Sequence, residues 1–333
     1  MSFHPNVLDI DPASEIERIV SAIRQTVGRR MHKRGGVVGV SGGVDSSVVL
    51  ALSVIALGPE KVLALALPER DSDPESEALA RKVANRYGIE PVIEVITPVL
   101  EGFGCYLRRD EAIRRVFPEY DAVAGYKAKI VLPENMLEED TLNIPQLTIV
   151  TPEGEERTRR IPLPEYLQVV AASNFKQRTR MSMLYYHAEL RNYAVVGTAN
   201  KNEHGQGFFV KYGDGGVDIR PIIHLYKTQV YQLAEYLEIP EEIRTRTPTS
   251  DTYSAGQTQE EFFFRLPFKT MDMLWYAMEQ GVPAAEAAET MGLSELQVRR
   301  AFADFTRKQR TTEYLRMTPV EFAPANGMGT DGH

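Results

Sequence analysis

The chain has 333 residues, 43% hydrophobic and 25% charged, with a net charge of −8; this is a globular composition with an ample core, enough for one large α/β domain with appendages or for two domains. The single cysteine, Cys105, excludes an internal disulfide and a cysteine-rich metal site, and the acidic balance argues against a nucleic-acid partner. No apolar stretch is long enough to cross a membrane, and Met1 to Asp11 has neither the basic region nor the hydrophobic core of a signal peptide, so a cytoplasmic enzyme is expected.

Asp11-Pro12 caps a helix whose apolar positions Ile16, Ile19, Ile23, Val27 and Met31 recur at helical spacing, with Gly35-Gly36 as its end. Val37, Val38 and Val40 then read as a buried strand. A Ser-Gly-Gly turn follows, and a helix through Val48, Val49, Leu50, Leu52 and Val54. Lys61–Leu67 is a second strand, 73–87 a helix and Pro91–Ile96 a third strand. Strands alternating with helices imply a doubly wound parallel sheet, whose ligands lie beyond the carboxyl ends of the strands. The stretch from about 104 to 165 is proline-rich and reads as an insertion, with a hairpin turn at Pro152-Glu153-Gly154 between strands Leu147–Val150 and Arg157–Ile161. The pattern resumes with a helix over Tyr166–Leu190, a strand over Tyr193–Val196 and a helix over Thr228–Leu237. After 283 the chain is helical and alanine-rich.

Chemistry concentrates in a few places. Ser41-Gly42-Gly43-Val44-Asp45-Ser46-Ser47 joins a strand to a helix. Its glycines let successive N–H groups converge on an anion, and the helix N-terminus and three hydroxyls add to the attraction. This is a phosphate or pyrophosphate site, but not a kinase-type P-loop, because no Gly-x-x-x-x-Gly-Lys-Ser/Thr is present. A second signal is Val195-Val196-Gly197-Thr198-Ala199-Asn200-Lys201-Asn202-Glu203, where a strand ends in a polar loop. The third is Lys211-Tyr212-Gly213-Asp214-Gly215-Gly216-Val217-Asp218, followed by Lys227. Carboxylates at Glu203, Asp214 and Asp218 could hold Mg²⁺, and Lys211 and Lys227 could neutralise phosphate charge. Each also has an ordinary reading: Arg178 and Arg180 as a solvated helix face, Asp218 as a turn cap or partner of Arg220, Glu203 as a surface carboxylate. His187 and His224 lack ligand spacing and are taken as structural.

The form Ser-Gly-Gly-x-Asp-Ser resembles the pyrophosphate loop of the ATP pyrophosphatases, which cleave ATP to AMP and pyrophosphate. With Asn174–Met181, Gly197-Thr198, Glu203, Gly207-Phe208-Phe209, Lys211–Gly216, Asp218, Pro221, Lys227 and Pro248-Thr249, the chain is similar to the ammonia-dependent NAD synthetases. The resemblance implies an adenine nucleotide alpha hydrolase-like α/β domain over 1–282, after which the residues themselves read as a helical C-terminal extension over 283–326 and a disordered tail over 327–333. It also implies a two-step reaction. The carboxylate of deamido-NAD attacks the α-phosphate of ATP, and ammonia displaces AMP from the acyl-adenylate. Asp45, Asp214 and Lys227 would take part in the chemistry. By the same resemblance Ser41, Gly42, Gly43, Val44, Asp45, Ser46, Ser47, Arg180, Thr198, Lys227 and Thr249 would bind ATP and pyrophosphate. Asn174, Arg178, Lys211, Asp214 and Asp218 would contact deamido-NAD, Asp45 and Glu203 would hold Mg²⁺, and the enzyme would be a homodimer.

Some features depart from the pattern. Ala199 stands where the family is often acidic, Pro68–Asp73 resembles the adenine-side loop of some members only, and the 104–165 insertion has no counterpart in the compact bacterial enzymes. No glutaminase domain fits before Val37, so free ammonia or a separate glutaminase partner is implied. Two other readings stay open: another amidating or thiolating ATP pyrophosphatase, and a catalytically inactive nucleotide-binding homologue. Without a basic surface, Ala284–Phe305 is read as a packing or lid element rather than a helix-turn-helix.

Overall fold

The computed structural model describes residues 3–132, 137, 144–249, 252–259 and 263–322; the tail expected over 327–333 lies outside them. Asp11 accepts a hydrogen bond from Ala13 N–H and starts α1 (Pro12–Arg24), which runs on as a wider π turn over Gln25–Arg30. The turn closes at Met31, so the helix stops short of Gly35-Gly36, and Gly36 already belongs to the first strand.

β1 (Gly36–Gly39) leads into α2 (Val44–Leu57), then β2 (Val62–Ala66), α3 (Pro74–Arg86) and β3 (Val92–Ile93). The third strand is shorter than its apolar run suggested, because Thr97-Pro98 opens a new helix immediately after it. Two short helices follow, α4 (Thr97–Gly102) and α5 (Cys105–Val116). Next comes an antiparallel meander of β4 (Lys127–Val131), β5 (Gln146–Val150) and β6 (Glu156–Arg160). The long α6 (Leu163–Arg191), β7 (Ala194–Val196), α7 (Lys201–Gln206), α8 (Lys227–Tyr236) and α9 (Glu241–Thr245) complete the central region. α10 (Phe268–Glu279), α11 (Ala284–Met291), α12 (Glu295–Thr311) and α13 (Glu313–Arg316) end the described chain.

Among the described residues, four strands form a parallel sheet in the order β3-β2-β1-β7. Strand side chains alternate between faces, and the core divides accordingly. Val38, Val40, Ala64, Ala66, Ala194 and Val196 pack with α1, α2, α3 and α8, whereas Val37, Leu65, Leu67 and Val195 pack with α4, α5 and α6. Both faces are covered, which is why the strands read as continuous apolar runs. The meander buries Ala128, Ile130, Leu147 and Ile149 against α5 and α6, and α10, α11 and α12 enclose Trp275 and Phe305 in a cluster of their own.

This strand order places the site. From β1 the chain winds outward through β2 and β3, then returns to lay β7 on the other side of β1. The carboxyl ends of β1 and β7 therefore flank the switch point of the sheet, where a crevice opens. The Ser41–Ser47 loop leaves one of these ends and Gly197-Thr198 the other.

Candidate active site

The loop after β1 is shaped by Gly42. Its φ is +76°, and a Cβ there would lie 2.8 Å from both the Ser76 carbonyl oxygen and Leu79 Cβ, so a side chain would strain the backbone and collide with α3. Gly43 heads α2 with no side-chain cap, leaving the first-turn N–H groups for an anion. Ser41 and Ser46 face each other, with hydroxyl oxygens 3.4 Å apart. Ser46 and Ser47 both donate to the Gly43 carbonyl, at 3.0 and 2.8 Å, and so brace the loop's own shape.

Asp45, in the first turn of α2, meets Lys227 at the start of α8 in an ion pair. The Lys227 side chain is 1% exposed and that of Asp45 is 15% exposed, so water screens the pair only weakly. Burial works against the Lys227 charge, but Asp45 and Glu203 outweigh it and hold the ammonium above its ordinary pKa. Asn200, the residue that sequence reasoning missed here, ties the acidic groups together. It donates to Asp45 Oδ1 at 2.9 Å, caps α7 by accepting from Glu203 N–H at 3.0 Å, and donates its own backbone N–H to Glu203 Oε2 at 3.2 Å. An Asn three residues before a Glu is a capping-box signature and was visible in the sequence. Burial, and then the charge of Asp45, raise Glu203 well above the usual carboxylate range.

The Lys211–Gly216 block folds into turns beside α6. Val210 N–H donates to Asp214 Oδ1 at 2.7 Å, and Gly213 and Gly215 sit where a Cβ would strike Val210, Gln177 or Phe209 at 2.6–3.0 Å. Asp214 keeps solvent contact at the cleft, and the density of protein around it raises its carboxyl to about 6, against the pull of the Val210 N–H. Asp218 has a different place: it accepts from Val195 N–H at 2.8 Å and from the Tyr185 hydroxyl at 3.0 Å, fastening the segment after Gly216 to the end of β7. It makes these bonds rather than a pair with Arg220, whose guanidinium donates to the Gly215 carbonyl at 2.7 Å.

One cavity of ≈ 860 Å³ collects most of the residues singled out in the sequence. Ser41, Gly43, Val44, Asp45 and Ser46 line it together with Asn174, Arg178, Arg180, Thr198, Glu203, Lys211, Asp214, Lys227 and Thr249. Gly42, Ser47 and Asp218 do not line it. The meander adds Ile130, and Leu132 and Pro145 beside it, to the lining, so it faces the cleft. A buried ion cluster supports one flank. Lys176 reaches Glu69 at 2.9 Å, Asp71 at 2.8 Å and the Thr252 carbonyl at 3.1 Å, and Arg109 pairs with Asp71 and Asp110. Nothing in the sequence joined these residues, which come from α5, α6 and the loop after β2.

Comparison with known proteins agrees with this geometry. The family model described as NAD synthase matches residues 15–116 and 126–319. An NH(3)-dependent NAD(+) synthetase of Rhizobium meliloti (strain 1021) is 50% identical over 322 residues, covering 97% of this chain and 95% of that one. The protein of the same description from Thermotoga maritima is 39% identical over 264 residues, 79% of this chain and 86% of its own. In fold, the chain is similar to an NMN synthetase from Francisella tularensis (TM-score 0.62, 22% identity, 96% of this chain and 100% of that one). An NH3-dependent NAD synthetase from Campylobacter jejuni gives 0.61 at 21% identity, covering 94% and 100%.

Proposed function

The chain belongs to the NAD synthase family, and from that premise we propose that it is a C–N ligase converting deamido-NAD to NAD with ATP and ammonia, releasing AMP and pyrophosphate. The observation that carries this is the convergence of the pyrophosphate loop, the Asp45–Lys227 pair and the Lys211–Asp214 turn on one cavity at the switch point of the sheet. An inactive relative would have no reason to keep a buried cation and two carboxylates facing it.

The roles follow from the chemistry. N–H groups and hydroxyls of Ser41, Gly43, Val44 and Ser46 receive the pyrophosphate, and Lys227 neutralises charge as it leaves. Arg180, Thr198 and Thr249 contact ATP, while Asn174, Arg178 and Lys211 contact deamido-NAD. Asp214 accepts the proton that ammonia sheds on attacking the acyl-adenylate. The donor set fits Mg²⁺, which takes one or two carboxylates together with phosphate oxygens. Asp45 and Glu203 would hold the ion, and the crowding that disfavours a second negative charge at Glu203 is relieved by a cation. Bound there, the metal would supply positive charge to the phosphates.

A homodimer is part of the same reading, supported by apolar side chains exposed along α4, α5 and α6: Val99, Phe103, Leu107, Leu163, Leu167 and Leu190. Among the described residues no helix is long and apolar enough to cross a membrane; we place the enzyme in the cytoplasm, with its nucleotide substrates. Incubating the purified protein with ATP, Mg²⁺, deamido-NAD and ammonium tests the reading. NAD and AMP should appear one for one, and both should vanish in Asp45→Ala. AMP release with another carboxylate but not with deamido-NAD would point to a different amidating enzyme.

A further inference from the structure

Lys211 is not a free surface cation. Its ammonium donates to the carbonyl oxygens of Tyr314 at 2.8 Å and Met317 at 2.9 Å, in and just after α13. That turn is in turn fastened to α7, the helix carrying Glu203. Arg316 donates to the carbonyls of His204 at 3.1 Å and Gly205 at 3.3 Å, and the Thr312 hydroxyl, which donates to the Lys308 carbonyl at 2.6 Å, lies 3.3 Å from that of Gln206. Gly207, with φ +78°, admits the close approach, since a Cβ there would lie 2.3 Å from Thr312. α13 buries no residue, and the Tyr314 and Met317 side chains are exposed. Polar bonds to the rim of the cleft hold it, not apolar burial.

The segment also shapes the cleft. Thr311, Thr312, Tyr314 and Leu315 line the main cavity, and Lys211, Tyr212, Leu315 and Arg316 line a smaller recess of ≈ 230 Å³. From these contacts we infer that Thr311–Met317 is a strap that sets the position of Lys211 for deamido-NAD, with Arg316 as the positioning residue that seats it. The inference rests on the dinucleotide-binding role proposed above for Lys211. A lysine ammonium has three N–H donors. Two are committed to strap carbonyls, which fixes an otherwise flexible side chain before the ligand arrives and leaves the third donor for a carboxylate or phosphate oxygen. The neutral carbonyls orient the cation without cancelling its charge.

Arg316→Ala, Arg316→Lys and wild type are compared in steady-state kinetics with ATP and deamido-NAD varied separately. The strap predicts a KM for deamido-NAD raised about tenfold in Arg316→Ala, with kcat and the KM for ATP within about twofold and Arg316→Lys in between. An unchanged KM for deamido-NAD, or a fall in kcat alone, overturns the strap while leaving the ligase reading intact; wild type that makes no NAD overturns the ligase reading itself. A measurement on wild type guards against a variant that fails to fold. Amide exchange over residues 311–318 should slow when deamido-NAD joins a non-hydrolysable ATP analogue, and exchange that stays unchanged also overturns the strap.

Discussion

Asp214 and Asp218 lie four residues apart and do different work. Asp218 spends both oxygens on Val195 and Tyr185, whereas Asp214 keeps one oxygen on Val210 and lines the cleft. In its proposed role Asp214 can take a proton only as the carboxylate, so its pKa of about 6 sets a limit. The rate per free ammonia molecule should fall as the pH drops through about 6 and level off above it. Asp214→Asn should lower kcat about 10²-fold, the lower end of what a positioned base contributes, and should lack that acidic limb. A pH profile corrected for the free ammonia fraction decides it; an Asn variant that keeps the limb would assign the titration to another group. Residue identities at the loop were legible because glycines and an acid at fixed spacing have few other uses. That Asp218 also fastens a strand end was not visible, because sequence order does not reveal which carboxylate a strand end will claim.

At the scale of elements, the buried cluster of Glu69, Asp71, Arg109 and Lys176 joins α5, α6 and the loop after β2 along one flank of the cleft. Burial alone would raise the Asp71 carboxyl, but Lys176 and Arg109 outweigh it and hold it well below the usual range. A depressed carboxyl contributes its stability above its unfolded pKa, about 3.9 for Asp, and loses it as the pH falls from there toward the folded value. Lys176→Met should therefore cost about 3–5 kcal/mol near neutral pH, because it leaves the carboxylates of Glu69, Asp71 and Asp110 around buried Arg109, with only the partly exposed Arg70 besides. The gap to wild type should narrow below about pH 4. Urea unfolding at the two pH values measures this, and an equal gap at both would show that lost packing, not charge, is responsible. Helices and parallel strands were readable from apolar period, and so was the hairpin around Pro152–Gly154. The cluster was not, since its members are scattered over more than a hundred positions and each alone reads as a solvated charge.

Over the whole molecule, the parallel sheet explains why residues as distant as Ser41, Asn174, Lys211 and Thr249 share one cavity. The order β3-β2-β1-β7 opens a crevice at the ends of β1 and β7, and the loops carrying the motifs are those that leave these ends. Alternating strands and helices made that architecture visible in advance. The contribution of the C-terminal helices was not visible, because a four-residue helix held by carbonyl contacts leaves no periodic signature. In the proposed reaction this cavity activates the carboxylate of deamido-NAD on the α-phosphate of ATP. Supplying deamido-NAD labelled with oxygen-18 in its nicotinate carboxyl group, and weighing the AMP released as NAD forms, tests it most directly. Attack at the α-phosphate predicts one labelled oxygen in each AMP and none in pyrophosphate. NAD formed with unlabelled AMP, or label in an inorganic phosphate beside ADP, would contradict it.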